Sequence, residues 1–195
     1  MTGVLISMIQ LNQPSMALNS PDISWSQIVM EKNWQVPAAT SIGQIVSRVA
    51  TEARGVAGGK LKYVVINCHG LPGWVGIGQG FNRTHIGMFR DWNGLVEEIM
   101  FVACLVARIP TALYQTELNT NYPGFGTGDG NIFCSELAQT AGAFVFAGTE
   151  EQRNKGGYSI GQVPSFEGLV MCYNPRGGVE YSYRNPSDWA LNGRE

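Results

Sequence analysis

Two short apolar runs constrain the fold of this chain more than any other feature. The first, 63–68 (YVVINC), is followed by His69, and the second, 99–103 (IMFVA), is followed by Cys104. β-Branched and aromatic runs of this length, bounded by glycine-rich turns, are typical of buried strands in a parallel sheet. Functional side chains of open α/β sheets gather just beyond the carboxyl ends of such strands. If the two strands are parallel neighbours, His69 and Cys104 lie at the same edge of the sheet.

The flanking sequence predicts an α/β fold, with a mainly parallel sheet and helices on both of its faces. Apolar residues recur at helical spacing over 41–54, where Ser41 and Gln44 form a capping box. The order strand, helix, strand makes a right-handed crossover the expected connection. Further elements are predicted as strand 4–10, helix 84–96, strand 98–103, helix 131–141 with Asp129 or Asn131 as its cap, and strand 143–147.

Glycine and proline mark the segments that connect these elements. Five glycines between 70 and 80 predict a tight loop or hairpin over the sheet edge. Prolines and glycines in the second half of 108–130 predict a mobile surface loop beside Cys104. A turn at 174–178 predicts an antiparallel C-terminal hairpin. We therefore expect one domain over 1–195, with a core at about 40–150 and a hairpin extension at 165–185.

Composition restricts the classes of partner. The 195 residues are 44% hydrophobic and 14% charged, as in a globular protein, and the net charge is −2. Without a cluster of Lys and Arg, we expect neither nucleic acid nor an anionic membrane as the main partner. The stretch 1–16 is too short for a membrane span and lacks the charge asymmetry of a signal peptide. These features predict a cytoplasmic protein, or one exported without a cleavable signal peptide.

The cysteines favour thiol chemistry over metal binding. The chain has four of them, Cys68, Cys104, Cys134 and Cys172, without the CxxC spacing of zinc sites or redox pairs. Nothing else in the chain suggests a small disulfide scaffold, so we expect reduced thiols. The sequence predicts no metal and no cofactor.

A thiol and an imidazole at one sheet edge predict nucleophilic catalysis. A free thiol has a pKa of about 8.5, so Cys104 needs a base, and His69 can supply it and later protonate a leaving amine. The backbone N–H groups of Gly70 and Cys104 are candidates for an oxyanion hole. Glycine at position 70 would also leave room for an approaching carbonyl.

Other residues of the same chemical types have competing interpretations. Cys134 is the main rival nucleophile, because it lies near a helix N-terminus, where the helix dipole lowers a thiol pKa. Papain-like and amidase folds use such a cysteine, but they place it before the histidine, whereas both His69 and His85 precede Cys134. We interpret His85 as structural and Cys68 as a core residue that points away from its neighbour.

These motifs resemble those of the caspase-like (clan CD) cysteine peptidases, which include gingipains, separase and the autoprocessing domains of large bacterial toxins. The resemblance covers about 60–150 and is carried by 64–70 (VVINCHG), by 101–104 (FVAC), by the His-Gly-x-Pro-Gly start of the glycine-rich segment, and by the apolar pattern of 133–149. The bacterial toxin-processing and adhesin-associated branches are the most similar.

The resemblance implies a dyad of His69 as general base and Cys104 as nucleophile, with Gly70 in the oxyanion hole. The expected reaction is hydrolysis of a peptide bond in a protein or peptide substrate, or in the chain itself, as in a bacterial toxin or effector. Toxin-processing domains need a dense basic pocket for inositol hexakisphosphate. Only 13 Lys and Arg are scattered here, so we expect no activation by inositol phosphate. Caspase-type cleavage after Asp is also unsupported.

Two other functions remain open at this point. A cysteine-dependent amidase or deamidase effector would use the same dyad, because the acyl-enzyme step is shared and the pocket selects the substrate. A catalytically silent binding module could keep the scaffold without the activity.

Overall fold

The fold is built on a seven-stranded sheet. The structure, a computed structural model, describes residues 8–11, 14–153 and 156–185. The strands are β1 (Met8–Gln10), β2 (Ser15–Asn19), β3 (Lys32–Gln35), β4 (Leu61–Asn67), β5 (His69–Leu71), β6 (Trp74–Gly76), β7 (Phe81–Asn82), β8 (Val96–Val102), β9 (Phe144–Gly148), β10 (Gln162–Pro164), β11 (Gly168–Tyr173) and β12 (Val179–Asn185). The helices are α1 (Ile42–Arg54), α2 (Ala112–Asn121) and α3 (Gly130–Ala141), with 3₁₀ stretches at Pro21–Ser26 and Arg83–Trp92.

The main sheet is mostly parallel, as predicted. Its order is β12-β11-β9-β8-β4-β2-β3, and the strands from β3 to β9 pair in parallel. The hairpin of β11 and β12 adds two antiparallel strands at the β9 side, which confirms the predicted C-terminal hairpin. A separate small antiparallel sheet, β5-β6-β7, forms the glycine-rich segment after β4.

The two faces of the sheet are covered differently. On one face the helices α1 and α3 and the stretch Arg83–Trp92 pack in the larger apolar cluster. The cluster on the other face consists of residues from strands and loops, such as Ile28, Met30 and Phe166, and contains no residue of a described helix. The prediction of helices on both faces is therefore not confirmed, because connecting loops bury that second face.

Local sequence signals account for the helix ends. Ser41 and Gln44 form the predicted capping box at the start of α1. Asp129 caps α3 by accepting a hydrogen bond from the amide of Ile132, and α3 ends at Gly142, whose φ of 61° is left-handed. The predicted helix over 84–96 is instead a 3₁₀ stretch that ends at Trp92.

The helix α2 lies within the segment 108–130, for which the sequence predicted no helix. Thr111 caps its N-terminus through a hydrogen bond from the amide of Tyr114. Leu118 is its one buried residue, so the helix carries almost no apolar periodicity. The predicted surface loop follows α2 rather than filling the whole second half of 108–130.

The N-terminal predictions are covered in part. Strand β1 lies within the predicted 4–10, and residues 4–7 lie outside the described residues. Within the described ranges, no helix combines the length and the apolar character needed to cross a membrane.

Candidate active site at the carboxyl edge of β4 and β8

Strands β4 and β8 bring His69 and Cys104 to the same sheet edge. The two strands are parallel neighbours, and their last paired residues are Asn67 and Val102. The amide of Cys68 donates a 3.3 Å hydrogen bond to the carbonyl of Val102, which extends the pairing by one residue. His69 and Cys104 each follow the last paired residue of their strand by two positions. The predicted strand neighbourhood is therefore present.

His69 lies next to a carboxylate that sequence analysis did not select. Its Nε2 is 3.5 Å from Oδ2 of Asp22, and both side chains are more than half exposed. Asp22 lies in the 3₁₀ stretch after β2, the strand that borders β4 on its other side. Asp22 belongs to an irregular stretch that contains Asn, Pro and Ser and has no periodic signal in the sequence. Its nearness to a strand end becomes visible only when the order of strands in the sheet is known.

The sulfur of Cys104 contacts the main chain of Gln152. The amide of Gln152 donates to Sγ at 3.3 Å, and the thiol lies 3.7 Å from the carbonyl oxygen of the same residue. Burial raises the pKa of the Cys104 thiol, while the hydrogen bond from Gln152 lowers it and the nearby carboxylates of Glu151 and Glu167 raise it further. Between the described residues His69 and Cys104 there is no hydrogen bond. The thiol is thus held by a loop, in surroundings that on balance disfavour the thiolate.

The chain turns sharply immediately after Cys104. Leu105 has a φ of 62°, in the left-handed region that a leucine rarely adopts. Its amide donates to the carbonyl of Glu150 at 3.0 Å, and Ala107 donates to Gly148 at 3.1 Å. Such a conformation costs roughly 1 kcal/mol or more, which the surrounding contacts must offset. This turn ends β8 and leaves Cys104 half-buried rather than sealed in the core.

Gly70 is required by close packing against the nucleophile segment. A Cβ at this position would lie 2.5 Å from the carbonyl oxygen of Cys104 and 2.9 Å from Cγ2 of Val106. The backbone of β5 therefore approaches the Cys104 turn more closely than any residue with a side chain allows. This contact is a different reason for glycine from the approaching substrate carbonyl that sequence analysis proposed.

Two cavities flank this edge. The smaller, of about 300 Å³, is lined by Gly70 and Cys104 together with residues of α2 and Glu151. The larger, of about 940 Å³, includes Asp22 and the ring of Trp74. The smaller cavity thus adjoins the thiol, while the larger one reaches Asp22, the residue that contacts His69.

The remaining candidate cysteines are buried, and His85 takes part in a helix cap. Cys68, Cys134 and Cys172 are unpaired and buried, and burial raises the pKa of each thiol. Cys134 is completely buried in α3, so the expected effect of the helix dipole on its pKa is outweighed. Nδ1 of His85 lies 3.1 Å from Oδ1 of Asn82, within the capping box of the 3₁₀ stretch. Cys104 is thus the one partly exposed thiol of the four.

Comparisons with known proteins place no family beside this chain: no family model, no curated protein and no solved structure matches it. What the fold and the site define is a class of architecture. The chain forms an α/β sheet, mainly parallel, with a thiol, an imidazole and a carboxylate at the carboxyl edge of adjoining strands.

Proposed function

We propose that the protein is a cysteine endopeptidase in which Cys104 is the nucleophile and His69 the general base. The observation that carries the proposal is the parallel pairing of β4 with β8. Both strands end at one edge of the sheet, and His69 and Cys104 each lie two positions beyond the last paired residue. Cys104 is also the thiol that lines a cavity large enough for a side chain. A cleft that adjoins the carboxyl ends of parallel strands is the usual position of a site in such sheets.

The proposed reaction has two steps. His69 takes the proton of the Cys104 thiol, and the sulfur attacks the scissile carbonyl carbon, with the amides of Gly70 and Cys104 as donors to the oxyanion. The C–N bond then breaks, the imidazolium gives its proton to the leaving amine, and a thioester remains. Water, deprotonated by His69, attacks the thioester and releases the acid product and the free thiol.

Asp22 completes the proposal as a residue that positions His69. A carboxylate hydrogen-bonded to one ring nitrogen favours one tautomer and stabilises the imidazolium that forms during attack. Asp22 contacts Nε2, which leaves Nδ1 of His69 for the thiol. In the proposed neutral tautomer, Nε2 of His69 carries the proton and faces Asp22, and Nδ1 is the base.

A bound substrate has to replace the Gln152 contact. In the resting structure both main-chain groups of Gln152 face the sulfur, and His69 contacts Asp22 instead of Cys104. Catalysis therefore needs a displacement of this loop that lets the imidazole reach the sulfur, and this displacement also occurs transiently in the free protein, where a small thiol reagent can detect it. The same resting contacts favour one competing function, a binding module without catalysis, in which the loop never leaves the thiol.

The caspase-like resemblance belongs to this proposal. The order His-Gly after one strand and Ala-Cys after its parallel neighbour supports it. A role as a bacterial toxin or effector, acting on a protein or on itself, is the biological setting that we propose with it.

Cleavage of a peptide library tests the proposal. Peptides from a digested proteome are incubated with the wild type and with the Cys104→Ala and His69→Ala variants, and new termini are identified by mass spectrometry. We expect cleavage by the wild type and its loss in both variants. Cys172→Ala is the matched control, because this thiol is buried in β11, and it should keep activity. Cleavage that persists in Cys104→Ala, or release of ammonia without new termini, contradicts the endopeptidase assignment; ammonia release points to an amidase.

A further inference from the structure

We infer that the smaller cavity receives a lysine or arginine side chain of the substrate, so that the chain cleaves after basic residues. This inference rests on the proposed function, because it assigns the substrate class of the same site. The cavity of about 300 Å³ is lined by Cys104 itself and, among others, by Tyr114, Glu117, Leu118, Tyr122 and Glu151. A side chain that enters here would belong to the residue whose carbonyl the sulfur attacks, because the cavity opens beside that sulfur.

The charges of the cavity have one sign. Glu117 of α2 and Glu151 of the loop after β9 are carboxylates, and no Lys, Arg or His is among the described residues that line it. Both carboxylates belong to exposed residues, so a ligand in the cavity can reach them. Glu151 and Cys104 line the same cavity, and this carboxylate raises the pKa of the thiol.

The walls suit a side chain with an apolar stem. Tyr114 and Tyr122 contribute aromatic rings, and Leu118 is buried beneath them. Lys and Arg bury their methylene stems along apolar surfaces, and their cationic heads are attracted to aromatic ring faces. The cavity thus offers a long basic side chain an apolar wall for its stem, aromatic ring faces for its cationic head, and carboxylates for its charge. A short or acidic side chain would use none of them, and an acidic one would be repelled.

One cation of the chain lies near this wall. The guanidinium of Arg108 lies 5.5 Å from the ring centre of Tyr114. Arg108 does not line the smaller cavity; it lines a different one, with Glu150 and Arg184. The contact of Arg108 with Tyr114 shows that this ring face can attract a guanidinium.

The larger cavity is a weaker candidate for binding the side chain next to the scissile bond. It contains Asp22, but that carboxylate contacts His69, and Cys104 does not line the cavity. Gly76 and Gly80 lie directly under the Trp74 ring, where a Cβ would come within 2.7 Å and 2.8 Å of ring atoms. The ring also stacks on Phe125, with centroids 4.5 Å apart. Around the Trp74 ring this cavity is aromatic, and we expect it to contact other parts of a bound peptide.

Three covalent probes test the inference. They are peptidyl acyloxymethyl ketones that differ only in the residue next to the reactive group, which is lysine, norleucine or aspartate. Norleucine keeps the stem of lysine and removes its charge. The rate at which each probe modifies Cys104 is measured by intact mass and peptide mapping in the wild type, in Glu117→Gln, in Glu151→Gln and in the double variant. Glu97→Gln is the control, because Glu97 is an exposed carboxylate at the opposite end of β8.

We expect the lysine probe to react at least ~10-fold faster than the norleucine probe, because two carboxylates contribute to its binding. Each single variant should lower this ratio, the double variant should bring it close to one, and the control should leave it unchanged. Equal or faster reaction of the norleucine or aspartate probe in the wild type overturns the inference while the proposed function stands. If no probe modifies Cys104, the proposed function itself fails, and the inference fails with it.

Discussion

At the scale of single residues, the site depends on contacts that hold each group at a fixed distance from the others. Asp22 and His69 form an exposed pair with 3.5 Å between Oδ2 and Nε2. An exposed pair of this kind contributes little to stability. In the proposed reaction the pair orients the imidazole ring of His69. Loss of the pair should therefore lower activity without lowering stability.

We predict that Asp22→Asn lowers the rate of peptide cleavage at least roughly tenfold, because the neutral amide no longer stabilises the imidazolium. Asp22→Glu should restore part of the rate, since it keeps the charge. The measurement is kcat/KM on one library-derived peptide, with thermal unfolding as a check on folding. Asp91→Asn, in an exposed position of the 3₁₀ stretch, is the control. An Asp22→Asn variant as active as the wild type would remove Asp22 from the mechanism.

Gly70 gives a second prediction at this scale. In Gly70→Ala the new methyl group meets the carbonyl oxygen of Cys104 and the side chain of Val106. Overpacking of this kind costs typically 1–3 kcal/mol, and displacement of the strand by an ångström can lower the rate ~100-fold. Gly87→Ala is the matched control, because nothing lies within 4 Å of a Cβ there. Urea unfolding and peptide cleavage measure the two effects; a Gly70→Ala variant that matches Gly87→Ala in both would contradict the packing described here.

Part of the site follows from sequence, and part does not. His69 and Cys104 can be predicted because strand ends are legible as apolar runs, and the sites of parallel sheets lie there. Asp22 and Gln152 could not be predicted, because each comes from a loop whose position depends on the order of strands in the sheet. The turn at Leu105 gave no signal either, since leucine is not a residue expected at positive φ.

At the scale of elements, the loop after β9 lies against the sulfur of Cys104. The side chain of Gln152 anchors this loop: its Nε2 donates to the carbonyls of Glu150 and Glu167, and its Oε1 accepts from the amide of Glu167. These three hydrogen bonds hold the main chain of Gln152 against the sulfur. The anchor and the contact with the thiol thus belong to the same residue.

We predict that Gln152→Ala increases the rate of Cys104 alkylation several-fold, because the loop loses the side-chain hydrogen bonds that hold it. The rate constant for iodoacetamide modification, resolved by peptide mapping, is the measurement. Gln139→Ala, an exposed glutamine of α3, is the control. An unchanged rate in Gln152→Ala would show that the loop does not limit access to the thiol.

The elements themselves were predicted unequally. The helices α1 and α3 have caps and apolar periodicity that sequence alone reveals, and the structure confirms both. Helix α2 was missed because it lies on the surface and buries only Leu118, so its sequence has no amphipathic pattern. The second face of the sheet was assigned to helices, yet loop residues such as Ile28 and Phe166 bury it. Burial by irregular segments has no period that a sequence pattern can detect.

At the scale of the whole molecule, buried ionisable groups make stability depend on pH. Burial raises the pKa of Cys68 and Cys134 above that of a free thiol. The unfolded chain releases these protons near the ordinary thiol pKa. The stabilisation is therefore complete well below that ordinary pKa and is lost as the pH rises through it towards the folded pKa.

We predict that the free energy of unfolding at pH 10 is lower than at pH 7.5, by about 1 kcal/mol for each fully buried thiol. Urea unfolding at a series of pH values is the measurement. In Cys134→Ala the decrease in the free energy of unfolding between pH 7.5 and pH 10 should be smaller than in the wild type, whatever the change in stability at pH 7.5. A free energy that is the same at both pH values would contradict the burial of these thiols.

The central claim is that His69 activates Cys104, and alkylation of the four thiols at neutral pH tests it most directly. Iodoacetamide modification of each cysteine is followed by peptide mapping in the wild type and in His69→Ala. The account predicts that Cys104 reacts much faster than Cys68, Cys134 and Cys172, and that its rate falls roughly tenfold or more in His69→Ala. Equal, slow modification of all four thiols, or a Cys104 rate that does not depend on His69, would contradict it.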